Sequence, residues 1–162
     1  RIEFGELAGG LSARGAAIEA ALRRAGIEAR QVPDIRAALW TKFLFLAAVS
    51  GVAALTRSPL GPLLSDPDAR ALFIACMREV EALARRQGIA LKEGIVEETL
   101  AFADGAPPEL KPSMLGDLER GRPLELEALN GTAARLGREL GVPTPINAFI
   151  YAALKLHAHG RS

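Results

Sequence analysis

Lys42 stands inside the most apolar stretch of the chain, Leu39-Trp40-Thr41-Lys42-Phe43-Leu44-Phe45. An ammonium among large apolar side chains is costly to bury without a partner. One reading is a lysine whose stem runs along the helix edge to water. The other is a functional lysine that donates a proton inside a sheltered cleft, which requires a nearby carboxylate or hydroxyl to orient it. Ser50 lies eight residues on, and helical spacing puts Lys42, Leu46 and Ser50 on one face. A second cluster runs from Pro112-Ser113-Met114-Leu115-Gly116-Asp117-Leu118 to Gly121-Arg122-Pro123-Leu124-Glu125-Leu126-Glu127. Ser113 opens a short predicted helix, where a hydroxyl beside free backbone amides suits an anion such as a substrate carboxylate. An ordinary N-cap serine is the alternative. Glu125 falls in the first turn of a predicted helix, where a carboxylate is electrostatically favoured, and capping again is the alternative. Asn130-Gly131 in mid-helix is locally unfavourable, since Gly costs about 1 kcal/mol against Ala there. A close helix–helix approach or a ligand contact would explain it.

Other chemistries find little support. The chain has no G-x-G-x-x-G, no P-loop, no H-E-x-x-H and no G-x-S-x-G. His157 and His159, two apart near the end, suit solvated side chains better than ligands, so no metal site is expected. Cys76 lies on the apolar face of its predicted helix and reads as a small core hydrophobe. A single cysteine excludes an intrachain disulfide framework and points to a reducing compartment. A formal charge of +1 gives no electrostatic case for nucleic acid, and 49% hydrophobic residues argue against disorder. The run Phe43 to Leu55, broken by Ser50 and Gly51, is shorter than the roughly 20 apolar residues of a membrane span. No basic region followed by an apolar run opens the sequence. The expectation is a soluble cytoplasmic protein with no membrane contact. The opening Arg1, where Met would stand, suggests a piece of a longer chain.

The elements that must position these residues are mostly helices. Ile2 and Phe4 alternate with Arg1 and Glu3 as in a half-buried strand. Ser12 caps a predicted helix ending near Ala25, and residues 27–32 form a second weak strand. Pro33-Asp34 opens a helix from about Ile35 to Ser50, apolar almost all round and so expected to be central and buried. Arg57 to Pro62 is predicted as a loop with a short turn. Asp66-Pro67 starts a helix that runs to Gln87, and another spans about Glu93 to Ala103. A short helix near Ser113 to Leu118 and a long amphipathic one over Leu124 to Leu140 follow. Thr144-Pro145 starts the last, running to about His157.

Four elements occur together in one order: Leu39-Trp40-Thr41-Lys42, then Ser113 to Leu118, then Glu125 with Asn130-Gly131, then Val142-Pro143-Thr144-Pro145. In these residues, and over nearly all of its length, the chain resembles the C-terminal part of the ketopantoate reductase family (2-dehydropantoate 2-reductases). The resemblance implies a mostly α fold. Residues 33–162 would be an all-helical substrate-binding and catalytic domain of the 6-phosphogluconate-dehydrogenase-like type. Residues 1–32 would be a strand-helix-strand remnant, the tail of an N-terminal Rossmann domain. It implies an NADPH-dependent oxidoreductase of pantothenate biosynthesis acting on a small 2-keto acid. NADP(H) would bind mainly in the missing N-terminal domain, so this chain alone is expected to be inactive.

Carried across, Lys42 matches the family's catalytic lysine, which protonates the ketone oxygen as hydride reaches the carbon. Ser113 matches a serine that contacts the keto-acid end, and Glu125 a glutamate that binds the substrate hydroxyl and influences the lysine. Well-known members carry asparagines at the positions of Leu46, Ser50 and Leu60. Here the helix face after Lys42 offers Ser50 alone to a substrate, which leaves the identity of the keto acid open. Two other readings stand beside this one: a related hydroxyacid dehydrogenase, and a non-catalytic helical interaction or dimerisation module. Homodimerisation through exposed apolar surface is left open.

Overall fold

Alternation of charged and apolar residues at the start of the chain gives β1 (Ile2–Phe4), paired in parallel with β2 (Ala29–Gln31) so that Glu3 faces Arg30. The two side chains form an ion pair at 2.8 Å. The computed structural model describes residues 2–160; Arg1, expected in the first strand, lies outside the described residues. Between the strands runs α1 (Ala13–Arg24), with Ser12 as its N-cap as expected. The Ser12 hydroxyl accepts from the Gly15 amide at 2.9 Å and donates to Glu6 at 2.6 Å. Glu19 of α1 accepts the Gln31 amide at 2.7 Å, tying helix to strand.

The chain forms two compact units, Arg1–Lys42 and Phe43–Ser162, and the division falls within α2 (Ile35–Thr56). That helix does not end at Ser50 as expected: it continues through Gly51 into Val52-Ala53-Ala54-Leu55, a run of good helix formers with one β-branched residue. Nor is it buried throughout. Leu39 is 54% exposed, whereas every residue from Ala47 to Ala54 is buried. At 22 residues α2 is long and apolar enough to cross a membrane, against the expectation drawn from the shorter run Phe43 to Leu55. Half of its most apolar window is buried inside the protein, as in a core helix.

The second unit continues with α3 (Leu60–Ser65), α4 (Pro67–Arg86), α5 (Ile95–Asp104), α6 (Ser113–Glu119), α7 (Thr132–Leu140) and α8 (Pro145–Leu154). The expected loop after Arg57 thus contains a short helix. Its first amides, Leu60 and Gly61, bond the carbonyls of Leu110 and Pro108, so a distant loop satisfies what a lone turn would leave open. Asp66 caps α4 through the amides of Asp68 and Ala69, as predicted. The single helix expected over 124–140 is replaced by a π-helical turn, Glu127–Gly131, leading into α7. The Gly131 amide reaches back five residues to Leu126 O at 2.9 Å, which inserts one extra residue into the turn. The last helix ends at Leu154 and tightens into a 3-10 turn, Lys155–His157, short of a full helix to His157.

The core of this unit is built from Leu44, Leu63, Phe73, Met77, Leu83, Met114, Leu115, Leu126 and Ile150, all under 2% exposed. Through it runs a buried polar thread. Glu79 of α4 accepts the amides of Ile146 (2.7 Å) and Asn147 (2.9 Å), at the start of α8. The Thr144 side chain makes no capping bond, so a carboxylate from another helix satisfies these orphan donors and complements the helix dipole. Asn147 Nδ2 donates to Glu79 at 2.7 Å and to Cys76 O at 3.3 Å. Its Oδ1 accepts from Asn130 Nδ2 at 3.0 Å and from the Cys76 thiol at 3.4 Å. Asn130 Nδ2 also donates to Ala47 O on α2 at 3.1 Å. Cys76 is the buried residue its pattern predicted, and burial pushes its thiol well above the usual range.

Gly51 lets this thread reach α2: a Cβ there would lie 2.5 Å from Asn130 Oδ1 and 2.9 Å from Cγ. Gly51→Ala is therefore expected to destabilise the protein by about 1–3 kcal/mol through overpacking. Helix propensity alone would give a gain of about 1 kcal/mol. Urea unfolding decides between them, and a midpoint above that of the unmodified protein would show that Asn130 moves aside freely.

Candidate active site

Lys42 lies in the first unit, on α2, with its side chain exposed. It lines a cavity of about 340 Å³ together with Glu3, Ile35, Ala38 and Leu39. Positions 35, 38, 39 and 42 recur at helical spacing, so one face of α2 supplies the apolar wall and the ammonium above it. No hydrogen bond or ion pair engages Lys42 among the described residues, while Glu3, across the cavity lining, is held by Arg30. The arrangement can deliver a proton, or a positive charge, to a polar group of a ligand whose body rests on Ile35, Ala38 and Leu39. Glu3 is a cavity residue that the sequence reading missed. The signal was present in its place between Ile2 and Phe4, on the opposite face of the strand.

Ser50, Ser113 and Glu125 lie in the second unit. Ser113 is the first residue of α6, the cap position falls on Pro112, and no side-chain capping bond is made. The alternative of an N-cap serine is thus set aside: the exposed hydroxyl is free to meet a ligand. Glu125 is exposed in the turn that leads into the π-helical turn, and its backbone carbonyl accepts the Leu129 amide at 3.2 Å, a bond of helical spacing. Its carboxylate makes no bond among the described residues. Ser50 departs most from expectation, at 5% exposure, next to Gly51. Eight residues are 2.2 turns of helix, so a residue eight places on is rotated by about 80° from its starting point. Leu46 is half-buried and Ser50 buried for that reason, and the face expected to be shared with Lys42 turns inward. No hydrogen bond or ion pair among the described residues joins Lys42, Ser50, Ser113 and Glu125.

Asn130-Gly131 is explained by close approach of helices. Asn130 is fully buried against Gly51, and a Cβ on Gly131 would lie 3.0 Å from the Tyr151 ring of α8. Tyr151 donates to Glu127 at 2.5 Å, and that carboxylate raises the phenol above its ordinary pKa. Lys155 lies 5.5 Å over the same ring. The spacing of Glu127 and Gly131 marks one helical turn, but nothing local announces Tyr151. Among the described residues no group of three or more His, Cys, Asp or Glu side chains could hold a metal ion.

Comparison with known proteins agrees with this architecture. Residues 34–158 match the model of the ketopantoate reductase PanE/ApbA C-terminal family. A 2-dehydropantoate 2-reductase of Mesorhizobium japonicum is 34% identical over 145 residues, which cover 90% of this chain and 44% of the relative. The crystal structure of 2-dehydropantoate 2-reductase from Methylococcus capsulatus superposes with a TM-score of 0.84 at 35% identity, over 95% of this chain and 49% of that one. A dimeric ketopantoate reductase from Staphylococcus aureus gives a TM-score of 0.82 at 25% identity, over 92% of this chain and 52% of that one. The chain spans about half the length of the relatives it matches. The helical second unit, the parallel β1–α1–β2 unit ahead of it and the family match agree with one another, and the chain belongs to the ketopantoate reductase family, matching its C-terminal domain.

Proposed function

We propose that this chain is the substrate-side domain of an NADPH-dependent 2-keto-acid reductase resembling 2-dehydropantoate 2-reductase, which takes ketopantoate to pantoate in pantothenate biosynthesis. The observation that carries the reading is Lys42, an exposed and unpaired ammonium on the wall of an apolar-sided cavity, in a chain of this family. Reducing a ketone develops alkoxide charge on its oxygen, and a positioned acid that delivers a proton there lowers the barrier. Lys42 Nζ is that donor. Ser113 Oγ, free of any capping duty, donates to the keto-acid carboxylate. Glu125 accepts from the substrate hydroxyl. Ser50 is assigned to substrate binding from the buried stretch of α2. A soluble cytoplasmic setting and a homodimer belong to the same reading, supported by one buried free thiol and by the dimeric relative.

A nicotinamide cofactor supplies the hydride in such a reaction. The described residues do not fit its diphosphate. The β1–α1 connection carries Gly5, Gly9 and Gly10 without the G-x-G-x-x-G spacing, and Ser12 and the Glu6 carboxylate already occupy the α1 N-terminus. NADP(H) is therefore assigned mainly to residues outside this chain.

A second reading keeps the chemistry and changes the substrate. Leu46 is half-buried and Leu60 is 1% exposed, so neither offers the amide that a polar keto acid would meet. A pocket with fewer hydrogen-bonding groups discriminates less against apolar substituents.

In the full-length protein, Lys42→Ala is expected to lower kcat by about 100-fold or more, in the range of general acid catalysis, with cofactor affinity unchanged. Equal turnover in the variant removes the proton-donor role. Glu125→Gln is expected to raise KM about tenfold, the size of one charge-assisted hydrogen bond; unchanged KM and kcat take Glu125 out of the site. A panel of 2-keto acids assayed with NADPH and NADH separates the two substrates. Preference for ketopantoate supports the first reading, and preference for a keto acid with an apolar side chain supports the second.

A further inference from the structure

A basic cavity in the second unit has no part in the chemistry above. It measures about 80 Å³ and is lined by Arg57, Leu118, Gly121, Arg122, His157 and Gly160. Three separate segments build it: the residue after α2, the end of α6 with the turn beyond it, and the C-terminal tail. The tail is fastened there by the Leu124 amide, which donates to Ala158 O at 2.9 Å. A Cβ on Gly160 would lie 2.5 Å from Gly121 O, so the two backbones meet at the cavity wall.

The charge around this cavity is unbalanced. Arg57 and His157 have no ion pair among the described residues. Arg122 has only Asp117, at 4.0 Å, and that carboxylate lies closer to Arg120, at 3.4 Å. Arg57 also holds a left-handed backbone, with φ of +54°, and is the one non-glycine among the described residues to do so. Glycine or asparagine takes that position after a helix at less cost. The α2 C-terminus favours a cation, but that alone does not explain the strain at Arg57 or bring Arg122 and His157 to the same cavity. Strained residues of this kind recur at ligand clamps.

We propose that this cavity is a binding site for a phosphoryl-type oxyanion, either free phosphate or the phosphate end of a larger molecule. The volume admits one small tetrahedral anion. Two guanidinium groups and an imidazole offer the charge-assisted donors that such an anion accepts. None of Lys42, Ser113 and Glu125 lines this cavity, and the proposal does not depend on the reductase reading.

Titration with inorganic phosphate and with glycerol phosphate, each against chloride at matched ionic strength, tests the site by calorimetry and by the amide shifts of Gly121 and Gly160. Saturable binding that moves both amides is expected, weakened about tenfold or more by Arg57→Asn and by Arg122→Gln, the loss of one charge-assisted hydrogen bond. Tighter binding of the ester assigns the site to a phosphate-bearing molecule, and tighter binding of phosphate to the free ion. Arg57→Asn keeps the backbone at ease, since asparagine tolerates the left-handed region, so its thermal midpoint should not fall. Chloride that competes as well as phosphate, amide shifts confined to other residues, or unchanged affinity in both variants would overturn the proposal.

Discussion

The second unit depends on one buried chain of hydrogen bonds, from Glu79 on α4 through Asn147 on α8 to Asn130 in the π-helical turn and Ala47 O on α2. Each link supplies what the next segment lacks locally. α8 has no side-chain cap of its own, and Glu79 provides one. The extra residue of the π-helical turn would be a defect if it faced solvent. Here Asn130 is turned inward, and its amide spans two helices. Its Nδ2 is paired on both sides while its buried Oδ1 accepts no hydrogen bond, and the two Nδ2 partners fix one register for the helices they join.

Space is as much part of this constraint as charge. Gly51 in the middle of α2 and Gly131 at the end of the π-helical turn are both costly by helix propensity. Both stand where another segment comes close: the Asn130 amide, at 2.5 Å from a Cβ on Gly51, leaves no room for a side chain, and the Tyr151 ring, at 3.0 Å from one on Gly131, leaves little. The same packing decides which stretch of α2 is buried. From Ala47 to Ala54 the helix is enclosed, while Leu39 and Lys42 remain open to a cavity. One continuous helix is thus enclosed along one stretch and open to a cavity along another.

Much of the fold was legible in the residues. The cap at Ser12, the Asp66-Pro67 start of α4 and the burial of Cys76 rest on local rules of capping and periodicity, and each appears as read. The candidate site residues stood out by type, and their surroundings did not. Lys42 was conspicuous because its charge contradicts its neighbours, and Ser113 because it opens a helix. The environment of Ser50 was not readable, because eight residues of helix rotate it by about 80°. Glu3 as a cavity neighbour of Lys42 depends on a strand and a helix meeting, which no local pattern encodes.

The sequence by itself determined the helical class, most element starts, the family and the residues worth testing. These follow from interactions within a few turns of chain or from motifs carried in order. Tertiary structure alone decided that α2 runs on to Thr56, that the predicted helix over 124–140 opens with a π-helical turn, and that Glu79 caps a helix 66 residues later. It alone gathered Arg57, Arg122 and His157 around one cavity. In each case the deciding partner is distant in sequence. Its effect, a filled space or a paired charge, exists only once the chain has folded.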